Sequence, residues 1–130
     1  MINSNAYDYI NVLDKAADAS WLRESTLTNN IANVDTPNYK RQDVDFESVL
    51  KRELKNSKYT ALDTKVKNVN LNDLDATTYT DGSNYSYRLD GNNVDIDTEE
   101  SELASEQIRY SGLTDSITQE ISRMKTVLKS

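Results

Sequence analysis

A chain of 130 residues suits one domain or one part of an assembly; its charged residues make up 28 % and its net charge is -7. It has no cysteine and no histidine, which excludes the usual Cys/His zinc sites, thiol nucleophiles, histidine general bases and disulfides. Hydrophobic residues are only 36 % of the chain and the mean hydropathy is -0.77, so an independent core would be thin and burial against neighbouring molecules is expected.

The opening residues, MINSNAYDYINVLDKAADAS, contain no basic n-region and no continuous apolar run. They do not read as a cleavable secretory signal, and no segment is apolar for long enough to insert in a membrane. The chain is expected either to stay in the cytoplasm or to be exported without cleavage. A first helix is predicted over residues 5–33, capped by Asn5 with Asp8 in its first turn. Ile10, Leu13, Ala17, Ser20, Glu24, Leu27, Ile31 and Val34 recur at steps of three and four, the rhythm of a coiled-coil seam. Asn33 is suited to close this helix in a left-handed C-cap, and Pro37 prevents its continuation.

The middle is less regular. FESVLKREL, residues 46–54, has the spacing of a short helix. Its basic cluster, Lys51, Arg52, Lys55 and Lys58, is interleaved with Glu47 and Glu53. This pattern reads as a solvated helical face rather than a phosphate-binding stripe, and no nucleic-acid partner is expected. Residues 57–80 show no clear period; Val66, Val69 and Leu71 could sit in a strand or a loop. YSYRLDGNNVDI predicts a β-hairpin turning at Asp90-Gly91. It would place Tyr87 opposite Val94 and Tyr85 opposite Ile96. Residues 59–102 carry ten acids and three bases, so the middle holds most of the negative charge.

A second long helix is predicted over residues 98–128, with Asp97 as N-cap and Glu100 completing a capping box. Its stripe is Leu103, Gln107, Tyr110, Thr114, Ile117, Ile121, Met124 and Leu128, widened by Ile108, Leu113 and Val127. The expected fold is therefore mainly α. Long amphipathic N- and C-terminal helices pair as a coiled-coil-like hairpin, and an irregular middle contains a small β-hairpin. The chain divides into 1–34, 35–97 and 98–130. The stripes could close only on each other, or could also pack against other copies or subunits.

Enzyme chemistry lacks its ingredients. The DxD pairs Asp43/Asp45 and Asp95/Asp97 do not fit an EF-hand loop, because Val94 or Glu100 falls where a ligand or glycine is needed. The three glycines are scattered and form no phosphate cradle. No metal, cofactor or catalytic residue is expected.

NNIANVDTPNYK resembles the N-terminal signature of bacterial flagellar axial proteins of the rod and hook class. Asn29, Asn30, Ile31, Ala32, Asn33, Thr36, Pro37, Tyr39 and Lys40 carry the match; Asn38 stands where the family usually has glycine and also tolerates a left-handed turn. DVDFESVL resembles the proximal-rod branch, and Asn93, Val94, Asp95 and Glu99 fit the entry to the family's closing helix. The resemblance implies a non-enzymatic structural subunit of the flagellar basal body rod. It implies passage through the export apparatus without a cleaved signal, partners among other rod subunits and at the rod-to-ring junction, and a helical oligomer in the cell envelope. On this reading Leu13, Leu27, Ile31, Val34, Ile117, Ile121 and Leu128 form the packing seam. Asn29, Asn30, Asn33, Thr36, Pro37, Tyr39 and Lys40 form a joint leading to an arm on the next subunit, with Lys40 and Arg41 free to pair across that contact. Other rod subunits of the same family, or a soluble helical adaptor binding one partner, are the alternatives.

Overall fold

The computed structural model describes residues 5–55, 61–81 and 88–129. Two long helices dominate it: α1 (Asn5–Ala32) and α4 (Ile96–Lys129). Between them come β1 (Gln42–Val44), α2 (Glu47–Lys55), α3 (Leu62–Lys67), a 3-10 turn (Leu71–Leu74) and β2 (Thr78–Thr80). At 1.5 Å per residue α1 is ~42 Å long and α4 ~51 Å. α1 packs most extensively on α4. Asn30 reaches Glu99, Arg23 reaches Glu106, and the ring of Trp21 meets that of Tyr110 at 5.8 Å. As α1 positions fall, α4 positions rise, so the helices are antiparallel, the expected hairpin.

The seam on α1 follows the predicted rhythm, with Ala17, Ser20 and Leu27 buried and Leu13, Ile31 and Val34 half-buried. On α4 it does so only in part. Gln107 is exposed, while the two buried side chains are Glu99 and Glu106, at 1 % and 2 % exposure. The inward line runs Glu99, Leu103, Glu106, Tyr110, Leu113 and Ile117, still in steps of three and four. Apolar periodicity missed Glu99 and Glu106 on this face because it counts a carboxylate as outward. Here both carboxylates find donors inside.

The helix ends also differ in detail. α4 starts before Asp97: Asp95 caps it, its Oδ1 accepting from the Asp97 and Thr98 amides at 3.1 and 3.4 Å. Asn33 is not left-handed; Asn38 is the one non-glycine residue with positive φ among those described, at 62°. α1 instead tapers through tight turns, with the Val34 amide bonded to Ile31 O at 3.2 Å and the Thr36 amide to Asn33 O at 3.0 Å. α2 begins at Glu47, its entry fixed by Asp45 Oδ1 accepting from the Ser48 amide at 3.0 Å.

The irregular middle wraps α1. Val66 lies in α3, not in a strand or loop, and is buried; Leu71 opens the 3-10 turn that buries Leu74 completely. Tyr9 donates to Asp63 at 2.6 Å and Lys15 pairs with Asp75 at 2.6 Å, tying these short elements to α1. Elements of six, four and three residues are too short to display a period.

A two-stranded antiparallel sheet is present, but it joins β1 to β2, with Gln42 opposite Thr80 and Val44 opposite Thr78. The expected hairpin arm bearing Tyr85 and Tyr87 lies outside the described residues. On the other arm residues 92–95 form no strand, and Ile96 opens α4. The Asp90-Gly91 turn does form, the Gly91 amide donating to Arg88 O at 3.1 Å. Its neighbours pair with the loop after α1: the Asn38 amide bonds Asp90 O at 2.7 Å and the Asn93 amide bonds Tyr39 O at 3.3 Å. The backbone at Gly91 favours glycine, and an added Cβ would also displace the Asn38 side chain. Its φ is 77°, and a Cβ would lie 2.5 Å from Asn38 Oδ1.

The thin core yields a direct test. Leu74→Ala removes a side chain with no exposed surface and is expected to cost about 2–5 kcal/mol. Leu62→Ala, at a 58 % exposed site, should stay within about 0.5 kcal/mol of wild type. Urea unfolding followed by circular dichroism measures both; equal midpoints would mean that the middle does not pack on α1.

Candidate functional site

The two signature stretches, residues 29–41 and 88–99, close on each other and form one joint. Asn30 is its centre and is fully buried. Its Nδ2 donates to Gln42 O at 2.7 Å and to Glu99 Oε2 at 3.0 Å. Its Oδ1 accepts from the Gln42 amide and from Tyr39 Oη, both at 3.0 Å. The amide thus pairs with Gln42 as another strand's peptide group would, and all four of its hydrogen-bonding positions are used. An aspartate could not make the two donations.

Asn92, also fully buried, closes the end of α1. Its Nδ2 faces the carbonyls of Asn33, Val34 and Thr36 at 2.9, 3.0 and 2.9 Å, and its Oδ1 accepts from the Val94 amide at 2.7 Å. The Arg88 guanidinium donates to Val34 O at 2.6 Å. A cation and an amide therefore meet the negative end of the α1 dipole and satisfy its orphan carbonyls. Asn33 bonds back to Asn29 O at 2.8 Å, Thr36 Oγ1 donates to Asn33 Oδ1 at 3.0 Å, and Asn29 Nδ2 reaches Tyr39 Oη at 3.1 Å. Lys40 Nζ donates to Gly91 O. Pro37 is exposed at the tip.

Below the joint two guanidinium groups sit among five carboxylates. Arg41 meets Glu99 through Nε, Asp81 at 2.8 Å and Asp43 at 3.2 Å, while its backbone amide donates to Asn93 Oδ1 at 2.7 Å. Arg23 meets Asp43 at 2.8 Å, Glu106 at 2.9 Å and Glu102 at 3.0 Å. Ser20 Oγ donates to the other Glu106 oxygen at 2.6 Å. Burial opposes the charge on both guanidiniums, but the carboxylate hydrogen bonds outweigh it and raise both pKa values. Burial likewise works against the charged form of Asp43. Its hydrogen bonds from Arg23 and the Val44 amide prevail and hold its pKa below 3.8. The Arg41 guanidinium thus spends its hydrogen bonds inside its own chain, while the exposed Lys40 makes one there. A saturated network of this kind fixes geometry.

The expected seam residues fall into two sets. Leu27 is wholly inside the chain, and Leu13, Ile31, Val34 and Ile117 are half-buried. Ile121 and Leu128 face outward, at 40 % and 63 % exposure, as do Trp21 and Ile108 at 60 % and 75 %. Asn29, Asn30, Asn33, Thr36, Tyr39 and Lys40 are brought together, and Pro37 borders them. Arg23, Glu106 and Asn92 were not picked out by sequence reasoning; Asp43 was noted only within a DxD pair and Glu99 only at the entry to the closing helix. A signal did exist: Arg23 and Asn30 stand one heptad apart on α1, and Glu99 and Glu106 one heptad apart on α4, so each donor can face one carboxylate in antiparallel order.

A family model described as flagella basal body rod protein matches residues 11–40. The chain is similar to the flagellar basal body rod protein FlgB of Bacillus subtilis, 38 % identical over 89 % of each chain. It is 36 % identical to FlgB of Borrelia hermsii, covering 95 % of this chain and 93 % of that one. FlgB of Escherichia coli K12 is 30 % identical over 83 % of each.

Two predictions follow from the joint itself. Asn30→Ala leaves the Gln42 amide and carbonyl unpaired and should cost at least about 2 kcal/mol. Asn30→Asp should cost more, since it sets a carboxylate against Glu99; chemical denaturation of either within about 0.5 kcal/mol of wild type would remove Asn30 from the centre of the joint. The second concerns acid. Because the folded-state pKa of Asp43 is depressed, its contribution is present above the ordinary value of 3.8 and is lost as pH falls through the lower folded value. Asp43→Asn should lower stability at neutral pH and flatten the acid limb of a stability–pH curve below about pH 4. Parallel curves for variant and wild type would contradict this.

Proposed function

The chain belongs to the flagellar basal body rod protein family, and on that premise we propose that it occupies the cell-proximal part of the rod. It is a structural subunit of the flagellar basal body rod. The observation that carries the reading is its 38 % identity to a rod protein over 89 % of both chains, a span too long to leave out either terminal helix.

The geometry supports a mechanical role. A rod subunit has to carry load between its neighbours without its own helices sliding. The joint resists sliding because any shift of α4 along α1 separates Asn30 from Glu99 and Arg23 from Glu106 together. Apolar residues on the outer faces, Trp21, Ile108, Ile121 and Leu128, then remain for neighbouring subunits. Contacts of this heterologous kind, repeated from subunit to subunit, generate an open helical array. Torque passes along it through many small buried contacts. Partners are other rod subunits and the junction with the basal body ring. The chain reaches the cell envelope through the flagellar export apparatus without signal cleavage. No helix among the described residues is long and apolar enough to cross a membrane. Residues 29–40 hold the loop tip at a fixed height on α1, and the tip at Pro37 bears on the adjoining subunit.

Deleting the gene should abolish swimming and leave basal bodies with rings but no rod in electron micrographs. The wild-type chain should restore both. Ile108→Asp, at a site exposed in the monomer, should fold as wild type yet fail to restore the rod. Pro37→Ala should likewise reduce rod assembly with no change in helix content. Normal rods in the deletion strain would overturn the reading.

A further inference from the structure

A groove of about 510 Å³ opens between α1 and α4 beside the start of α2. Ala16 and Ala19 lie in its floor, and Phe46, Leu50 and Leu113 supply apolar walls. The small side chains of α1 make the space. Its lining includes four acids, Asp45, Glu47, Glu102 and Glu106, against two cations, Arg23 and Arg109. Arg23 is already committed to Glu102 and Glu106. That pairing also neutralises Glu102 and the buried Glu106, and Glu47 lies 3.9 Å from Lys51, so the negative charge left open at the rim is that of Asp45 and, in part, Glu47.

The far end of α4 has the complementary character. Beyond Glu120 the helix carries no acid, but has Arg123, Lys125 and Lys129. Ile121, Met124 and Leu128 recur there at steps of three and four, so they share one face. Ile121 and Leu128 are 40 % and 63 % exposed. α4 has 34 residues against the 28 described for α1.

We propose that this end of α4 docks in the α1–α4–α2 groove of a second copy of the chain. Its apolar face covers Ala16, Phe46, Leu50 and Leu113, and Lys125 and Lys129 meet Asp45 and Glu47 at the rim. A chain cannot fill its own groove: Leu113 of the wall and Ile121 of the insert lie on one continuous helix, ~12 Å apart along its axis. The contact is therefore head to tail. Each copy offers one groove and one insert, which leaves a free groove at one end of any row and a free insert at the other. The proposal rests on the rod reading and gives it a subunit contact.

Because the chain has no cysteine, the contact can be read by cross-linking. Tyr79 borders the groove and is 48 % exposed; Leu128 lies on the insert. The full-length Tyr79→Cys/Leu128→Cys chain, expressed in the deletion strain and oxidised in assembled basal bodies, should give a ladder of disulfide-linked dimers and higher species. Each single variant should remain monomeric. Swimming cells whose double variant yields only monomer would overturn the groove contact and leave the rod reading standing. Dimers from Leu128→Cys alone would overturn it in favour of a symmetric contact. A deletion strain that swims without any copy of the gene would overturn the rod reading itself. Charge exchange supplies a second readout: Glu47→Lys should shrink the swimming halo, and adding Lys125→Glu and Lys129→Glu should restore it. A halo unchanged by Glu47→Lys would count against the rim pairing.

Discussion

Burying Glu99 and Glu106 in the seam between the two long helices is the constraint around which the molecule is arranged. A carboxylate removed from water is costly unless cations and donors reach it. Arg23 comes from within α1; Arg41 comes from the chain just beyond it. For Arg41 to arrive, the chain has to turn sharply after α1 and run back along the seam. The turn at residues 33–38, the bonds of Asn30 to Gln42 and the left-handed Asn38 all serve that return. Asp43, placed between the two guanidiniums, is the middle residue of the short strand that pairs with β2, and Arg41 reaches Asp81.

Ion pairs of this kind contribute less to stability than to choice among alternatives. The apolar part of the α1–α4 seam is made of small or scattered residues, and a slip by one heptad would cost it little. The polar part tolerates a slip less well: one heptad would bring one carboxylate to the other donor, Glu99 to Arg23 or Glu106 to Asn30, and leave the second carboxylate without its own. Register is consequently set by a few hydrogen-bonded groups at one end of the hairpin. The rest of α4 is left with exposed apolar side chains and little to cover them within the chain. A composition poor in large apolar residues and rich in charge fits this division: polar groups decide the internal geometry, and the apolar residues that remain are turned outward.

The two helices were legible in the sequence because each is long enough for its period to stand out against its interruptions. Their caps were less so. Asp95 and Asp97 both precede the apolar stripe of α4, and only the backbone decides which accepts from the first turn. On α4, Leu103, Tyr110 and Ile117 were legible but Glu99 and Glu106 were not: hydrophobic periodicity does not register a carboxylate that meets a guanidinium contributed by residue 23 or residue 41. The Asp90-Gly91 turn was visible, but its partner was taken to be its own continuation rather than residues 38–39, fifty positions earlier. Between residues 61 and 80 the elements are shorter than any period. Within the joint, the asparagines drew notice as a motif, whereas the roles of Asn30 and Asn92 depend on backbone groups far away in sequence.

The antiparallel seam also bears on how quickly the chain folds. The bonds that close it join residues 69 and 86 positions apart, Asn30 to Glu99 and Ser20 to Glu106. Loops of that length must be closed before either inner face is covered, and contacts so distant along the chain slow folding relative to a hairpin with a short connection. Until closure each helix is a marginal structure in water. The interval between synthesis and closure is a period in which the chain remains thin and open, the form in which a polypeptide can be threaded through a narrow channel.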